Sequence, residues 1–180
     1  MAVIVTPYSP EWPGLFDRIA AELQTALTGV PVVGIEHVGS TSVPGLVAKP
    51  IIDVDVIVRR EDVPAAVGAL EAAGYVHRGD LGLVDREAFF APDDGLARHV
   101  YLCVDGTLQV RAHVAVRDAL RADAGLRDRY AAVKAELSAD PSMDIDRYIA
   151  GKSDVLQDVL AVSSLTEDEK RRLYALNTAV

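Results

Sequence analysis

Two aspartates spaced by one residue, Asp53 and Asp55, sit inside the apolar run Ile51 to Val58, and a Gly39-Ser40 pair closes the apolar run before it. Side chains alternate along a strand, so both carboxylates point to one face, about 6–7 Å apart at Cα. At that spacing they can share one or two Mg²⁺ ions, with Mn²⁺ as a substitute; such ions take oxygen ligands and substrate phosphates. Gly39 lets backbone N–H groups approach phosphate oxygens closely, and the Ser40 hydroxyl adds a donor. Aspartate is depleted in strands and costly to bury without a partner, which favours a metal-bound triphosphate as its reason for being there. A strand that ends in a turn, with two solvated aspartates, is the plainer alternative.

The elements that would position this pair follow from periodicity. Ser9-Pro10-Glu11-Trp12 reads as a helix start, and Phe16, Ile19, Ala20, Leu23 and Leu27 give that helix an apolar face up to Gly29. Val32 to Val38 is the first strand and Ile51 to Val58 the second, the latter apolar enough for burial on both faces. Val63 to Ala73 is a helix stopped by Gly74, and Tyr75 to Arg78 a short strand. Gly79 to Gly95 reads as one long loop, and His99 to Val104 as the next strand. Beyond Asp105-Gly106 two signals conflict: Leu108, Val110, Ala112 and Val114 alternate as a hairpin partner would, while Thr107 could cap a helix through Arg121. Helices are expected over Leu126 to Leu137 and Ile145 to Val162, with a terminal one opened by a capping-box spacing at Thr166 to Glu169.

At 180 residues the chain suits a single domain over 1–180, with a sheet-bearing core to about 106 and a helical part from about 107. With 18 Lys+Arg against 27 Asp+Glu, net charge −9, a general nucleic-acid or anionic-membrane surface is not expected. A polyphosphate substrate would then need a local basic cluster or a metal. Cys103 is the only cysteine, which excludes an internal disulfide or a Cys-rich zinc site and suits a reducing cytoplasm. No apolar run reaches the length of a membrane span, and Met1 to Pro7 lacks the basic region and cleavage site of a signal peptide; both point to the cytoplasm.

Read together, these residues resemble the GrpB-like family, a branch of the DNA polymerase beta-type nucleotidyltransferase superfamily. The similarity runs from about Tyr8 to Leu160 and is most specific over Glu36 to Asp53, which contains His37-Val38-Gly39-Ser40-Thr41-Ser42 and Lys49-Pro50-Ile51-Ile52-Asp53. Tyr8 to Trp12, Arg86-Glu87-Ala88-Phe89, Arg117 to Arg121, Tyr130 with Lys134, and Tyr148 with Lys152 support it. The resemblance implies an α+β fold: a small mixed β-sheet of nucleotidyltransferase type flanked by helices, with a helical C-terminal half. It also implies a helix, not a hairpin strand, from about Thr107 to Arg121. Active superfamily members place a third carboxylate on a later strand. The similar family has His-x-His there, and this chain has His99-Val100-Tyr101, a departure at Tyr101; Val116 likewise replaces an aromatic.

Two functions of different class are compatible with these residues. One is Mg²⁺-dependent transfer of a nucleotidyl group from an NTP to a small-molecule acceptor. Asp53 and Asp55 would hold the metal. Gly39, Ser40 and Thr41 would contact the phosphates, and His99, or an acid such as Glu87, would assist the acceptor. His99 is equally readable as a metal ligand or a hydrogen-bonded core residue, and His37 as structural. Lys49, Arg117, Lys134 and Lys152 are candidate phosphate contacts, each with a plain reading as a surface or intrahelical partner, and Tyr101 is a candidate wall residue. The other function is a non-catalytic ligand-binding or partner domain on the same fold, as in relatives fused to dephospho-coenzyme A kinase.

Overall fold

A computed structural model describes residues 4–178; Met1 to Val3, which open the segment read above as lacking a leader, and Ala179-Val180 lie outside the described residues. Five strands form one sheet: β1 (Val32–Val38), β2 (Ile52–Val58), β3 (Val76–His77), β4 (Arg86–Phe90) and β5 (Arg98–Val104), in the order β1-β2-β5-β4-β3. β2 and β5 run parallel and every other neighbouring pair is antiparallel, so the sheet is mixed. Helices α1 (Trp12–Ala26) and α2 (Val63–Ala72) precede or interrupt the sheet. α3 (Leu108–Ala122), α4 (Ala124–Ala139), α5 (Ile145–Gly151), α6 (Ser153–Ala161) and α7 (Glu167–Thr178) follow it.

Alternation along β2 and β5 divides the sheet into two unlike faces. Ile52, Val54, Val56 and Val58, with Val100 and Leu102 beside them, pack against Ile19 and Leu23 of α1 and Ala66 and Leu70 of α2. The opposite face presents Asp53, Asp55 and Ile57 next to His99, Tyr101 and Cys103, each pair matched by register. On that side α3 packs on the sheet through Val110 against Ile57 and Cys103. A second core joins the loop residues Val43 and Leu46 to Leu120, Leu126, Tyr130 and Val159, tying the helical half to the turn after β1.

Three details differ from the sequence reading, and one conflict left in it is resolved as the resemblance implied, by a helix after Thr107. α1 begins at Trp12, because Ser9 spends its hydroxyl and carbonyl on the Glu11 and Trp12 N–H groups of a preceding turn. The segment read as a continuous loop contains β4, whose five residues complete the sheet on β5. The hairpin signal at Asp105-Gly106 yields to a helix: Gly106 turns the chain at φ 73°, and the Thr107 hydroxyl donates to the Val104 carbonyl. Residues 145–162 form two helices, α5 and α6, broken at Gly151-Lys152. Among the described residues no helix is long and apolar enough to cross a membrane.

Candidate functional site

Asp53 and Asp55 project from β2 on the same face, and a histidine meets each of them. His99 Nδ1 lies 2.8 Å from Asp53 Oδ1, and His113 Nδ1 lies 2.7 Å from Asp55 Oδ2. A carboxylate can only accept, so each Nδ1 carries a proton, and in the neutral ring Nε2 is then the acceptor. The environments differ. The Asp53 side chain is 31% exposed beside a solvent-facing His99, whereas that of Asp55 is sealed at 1%. Burial alone would lower His113, but the Asp55 carboxylate outweighs it and holds the imidazole above its ordinary range. The second oxygen of Asp55, Oδ1, is buried with no hydrogen-bond partner. An orphaned anionic oxygen at that depth is costly and marks a place for a cation.

The Gly39-Ser40 pair closes onto these carboxylates. Gly39 has φ 68°, and a Cβ built there would overlap Asp53 Oδ2 and lie 2.9 Å from Asp53 Cγ, so only glycine fits. Residues Ser40–Ser42 form one 3₁₀ turn, in which the Ser42 hydroxyl donates to the Gly39 carbonyl at 2.6 Å. The Thr41 hydroxyl is buried and committed: it donates to the Ile51 carbonyl and sits 3.1 Å from His37 Nε2. That takes Thr41 out of the expected phosphate contacts. His37, stacked on Phe16 at 4.7 Å, is brought down to about 4 by burial and Arg121; a neutral, structural imidazole results.

Arg117 also departs from its expected substrate role. Its guanidinium is spent on Glu36 Oε2 (2.6 Å), Asp118 Oδ1 (2.8 Å) and the His37 carbonyl. Arg121, one turn on, donates twice to the Ser42 carbonyl. The two arginines thus clamp the end of β1 and the turn that carries Gly39. Glu87, considered as a helper of the acceptor, pairs with Leu102 by register and so points to the α2 side, bonded to His77 at 2.7 Å.

Lys49, Lys134 and Lys152 gather around Asp53 and two tyrosines. Lys152 Nζ lies 4.5 Å and Lys49 Nζ 5.9 Å from the Tyr148 ring centre, and Lys134 Nζ 5.6 Å from that of Tyr130. Among the described residues none of the three forms an ion pair; Lys134, 2% exposed, donates only to the Val47 carbonyl. Burial, then the neighbouring Lys152 charge, bring Lys134 down to about 7, and burial brings Lys152 down to about 8. Three amines with only Asp53 near them and no ion pair make a site that a further anion completes. Between this cluster and α7, a cavity of about 210 Å³ is lined by Gly39, His113, Tyr130, Leu156, Leu173 and Asn177, among others.

Sequence reasoning singled out neither His113 nor Arg86. A signal for His113 existed: residues 113, 117 and 121 recur every four positions and share the face of α3 turned to the sheet. No group of three or more His, Cys, Asp or Glu side chains is placed to hold a metal among the described residues. Asp53 with the orphaned Asp55 Oδ1 does suit an ion whose other ligands are substrate oxygens and water, the usual habit of Mg²⁺.

Comparison with known proteins agrees with this architecture. Residues 2–161 match the family described as GrpB protein. A UPF0157 protein of Halalkalibacterium halodurans is 36% identical over 167 residues, covering 92% of this chain and 84% of that protein. A dephospho-CoA kinase of Mycolicibacterium paratuberculosis is 31% identical over 182 residues, covering 87% of this chain and 44% of the kinase. The crystal structure of the conserved protein GrpB from Enterococcus faecalis superposes with a TM-score of 0.75 at 33% identity, covering 88% of this chain and 98% of that one. The Cid1 poly(U) polymerase superposes with a TM-score of 0.54 at 11% identity over 92% of this chain and 54% of its own, a likeness of fold.

Proposed function

The chain belongs to the GrpB family and has a nucleotidyltransferase-type fold, and on that premise we propose that it transfers a nucleotidyl group from an NTP to a small-molecule acceptor in a Mg²⁺-dependent reaction. The observation that carries this reading is the convergence of opposite chemistries on one sheet face. Two carboxylates, one with an orphaned buried oxygen, adjoin three lysines that lack any carboxylate partner. A metal–triphosphate satisfies both at once. A reducing cytoplasm, rich in NTP and compatible with the lone buried thiol of Cys103, is the proposed setting.

Asp53 and Asp55 would hold Mg²⁺, or Mn²⁺ in its place, and the ion when bound neutralises phosphate charge. Lys49, Lys134 and Lys152 bind the β- and γ-phosphates, while the N–H groups and Ser40 hydroxyl of the turn at Gly39 hold the chain of phosphates against β2. The acceptor oxygen forms a bond to the α-phosphorus as the bond from that phosphorus to its bridging oxygen breaks, and pyrophosphate leaves. His99 Nε2 takes the acceptor's proton, with the ring fixed by Asp53 at Nδ1. His113 fixes the Asp55 carboxylate from the other side.

A second reading, a non-catalytic ligand-binding or partner domain, is favoured by one observation: His99, not a carboxylate, stands opposite Asp53 on β5. Isothermal titration with ATP, GTP, CTP and UTP, with and without Mg²⁺, separates the two. Metal-dependent binding that Asp53→Asn and Asp55→Asn abolish, together with pyrophosphate release across an acceptor panel, supports transfer. Binding indifferent to metal and to both substitutions defeats it and leaves the domain reading.

A further inference from the structure

Beyond β5 the aspartate-bearing face of the sheet is open. Arg86, Ala88 and Phe90 of β4 share that face with Tyr101, and Val76 of β3 lies opposite Phe90. Phe90 and Val76 are more than half exposed, on a sheet whose other side carries the main core under α1 and α2. Two arginines lie over aromatic rings on this surface. Arg86 Cζ is 4.6 Å from the Tyr101 ring centre, and Arg78 Cζ is 4.1 Å from that of Phe90. In a chain of net charge −9 other arginines have found a carboxylate or a carbonyl, as Arg98, Arg111, Arg117 and Arg121 have. Neither Arg78 nor Arg86 forms an ion pair among the described residues, and Arg86 Nε is buried without a hydrogen-bond partner. The ring contacts hold both guanidinium groups near the surface and leave their N–H groups unspent, ready for a tetrahedral oxyanion.

The position is as informative as the chemistry. Tyr101 stands opposite Asp55 and two residues along β5 from His99, so this platform adjoins the aspartates from the β4 side of the sheet, whereas Lys134 is anchored at Val47 in the loop between β1 and β2. The lysines are placed for a triphosphate; a second anion site across the aspartates belongs to the other reactant. We propose that Arg86 and Arg78, on Tyr101 and Phe90, bind the phosphate of a small phosphomonoester acceptor whose hydroxyl faces His99. The role as acceptor rests on the transfer reading above, whereas the anion site itself does not.

The test uses the full chain with glycerol 3-phosphate and glycerol as a matched pair of probes, titrated calorimetrically into protein saturated with Mg²⁺ and a non-hydrolysable NTP. Glycerol 3-phosphate is expected to bind and glycerol not to bind. Arg86→Gln should weaken glycerol 3-phosphate by about tenfold or more, the scale of a lost charge-assisted hydrogen bond, with Arg78→Gln weaker by a smaller factor. Arg86→Lys, which keeps charge but loses the fork, should fall between Arg86→Gln and the parent. The same titration into Lys134→Met/Lys152→Met separates the two proposals: retained glycerol 3-phosphate binding there upholds the platform even where NTP binding is lost. Equal binding of both probes, no binding of either, or affinity that follows the lysines and ignores the arginines overturns it. Arg78 is exposed and its replacement leaves the core intact, so Arg78→Gln remains decisive where Arg86→Gln fails to fold.

Discussion

The two faces of β2 carry the same strand and opposite duties. On one face Ile52, Val54, Val56 and Val58 vanish into a hydrocarbon core; on the other, Asp53 and Asp55 stand among histidines, lysines and arginines. A parallel neighbour copies the division, with Val100 and Leu102 turned one way and His99 and Tyr101 the other. Parity along the backbone thus separates what holds the protein together from what lets it act. The core face fixes the spacing of the carboxylates without contributing any chemistry of its own.

The largest break in this contrast is a charge moved one position. Val54→Asp buries a carboxylate among apolar side chains and should cost about 4 kcal/mol or more, enough to unfold a marginal domain in urea titration. Asp53→Asn, one residue away on the partly exposed face, should shift the urea midpoint little while abolishing metal-dependent NTP binding. Gly39→Ala comes next: a positive φ and an overlap with Asp53 Oδ2 should cost about 1–2 kcal/mol and lower NTP affinity together.

Lys134→Met sharpens the comparison by separating stability from binding. Removing a buried amine that lacks a carboxylate partner should raise the thermal midpoint, while the affinity for inorganic triphosphate falls about tenfold. The pH dependence has a definite sign. From about 7 up to the usual lysine range, Lys134 binds fewer protons folded than unfolded, so the free protein gains stability as pH rises through that window. Triphosphate binding, which needs the ammonium, weakens over the same range. The smallest effect belongs to the Asp55–His113 pair. The His113 pKa is raised in the fold, so its stabilisation is fully present below the unfolded histidine value and is lost as pH rises through the folded one. Asp55→Asn should lower the His113 value in an NMR titration, and wild-type's excess stability over this variant should shrink from pH 5.5 to pH 8.5.

What the sequence discloses follows the same division. Asp53, Asp55 and Gly39-Ser40 are local patterns with strong physical reasons, and the strand and turn bearing them form where periodicity puts them. β4 was illegible because its five residues, Arg86–Phe90, lie among Asp80, Gly82 and Asp85, and only pairing with β5 makes them a strand. The α5–α6 break at Gly151-Lys152 is likewise a tertiary event, with Gly151 pressed against Leu137 of α4. The fate of Arg117 was hidden for a different reason. Its partner Glu36 is 81 residues away, and nothing local distinguishes an arginine that clamps a strand from one that grips a phosphate.

Cys103 gives the molecule a built-in reporter. It is the chain's only thiol, wholly buried, and burial beside Asp55 pushes its ionisation far up. A disulfide reagent can therefore modify it only when β5 parts from α3, so the labelling rate clocks the opening of the very wall on which the carboxylates stand. A nucleotide that truly seats there should slow that clock, without any assay of turnover.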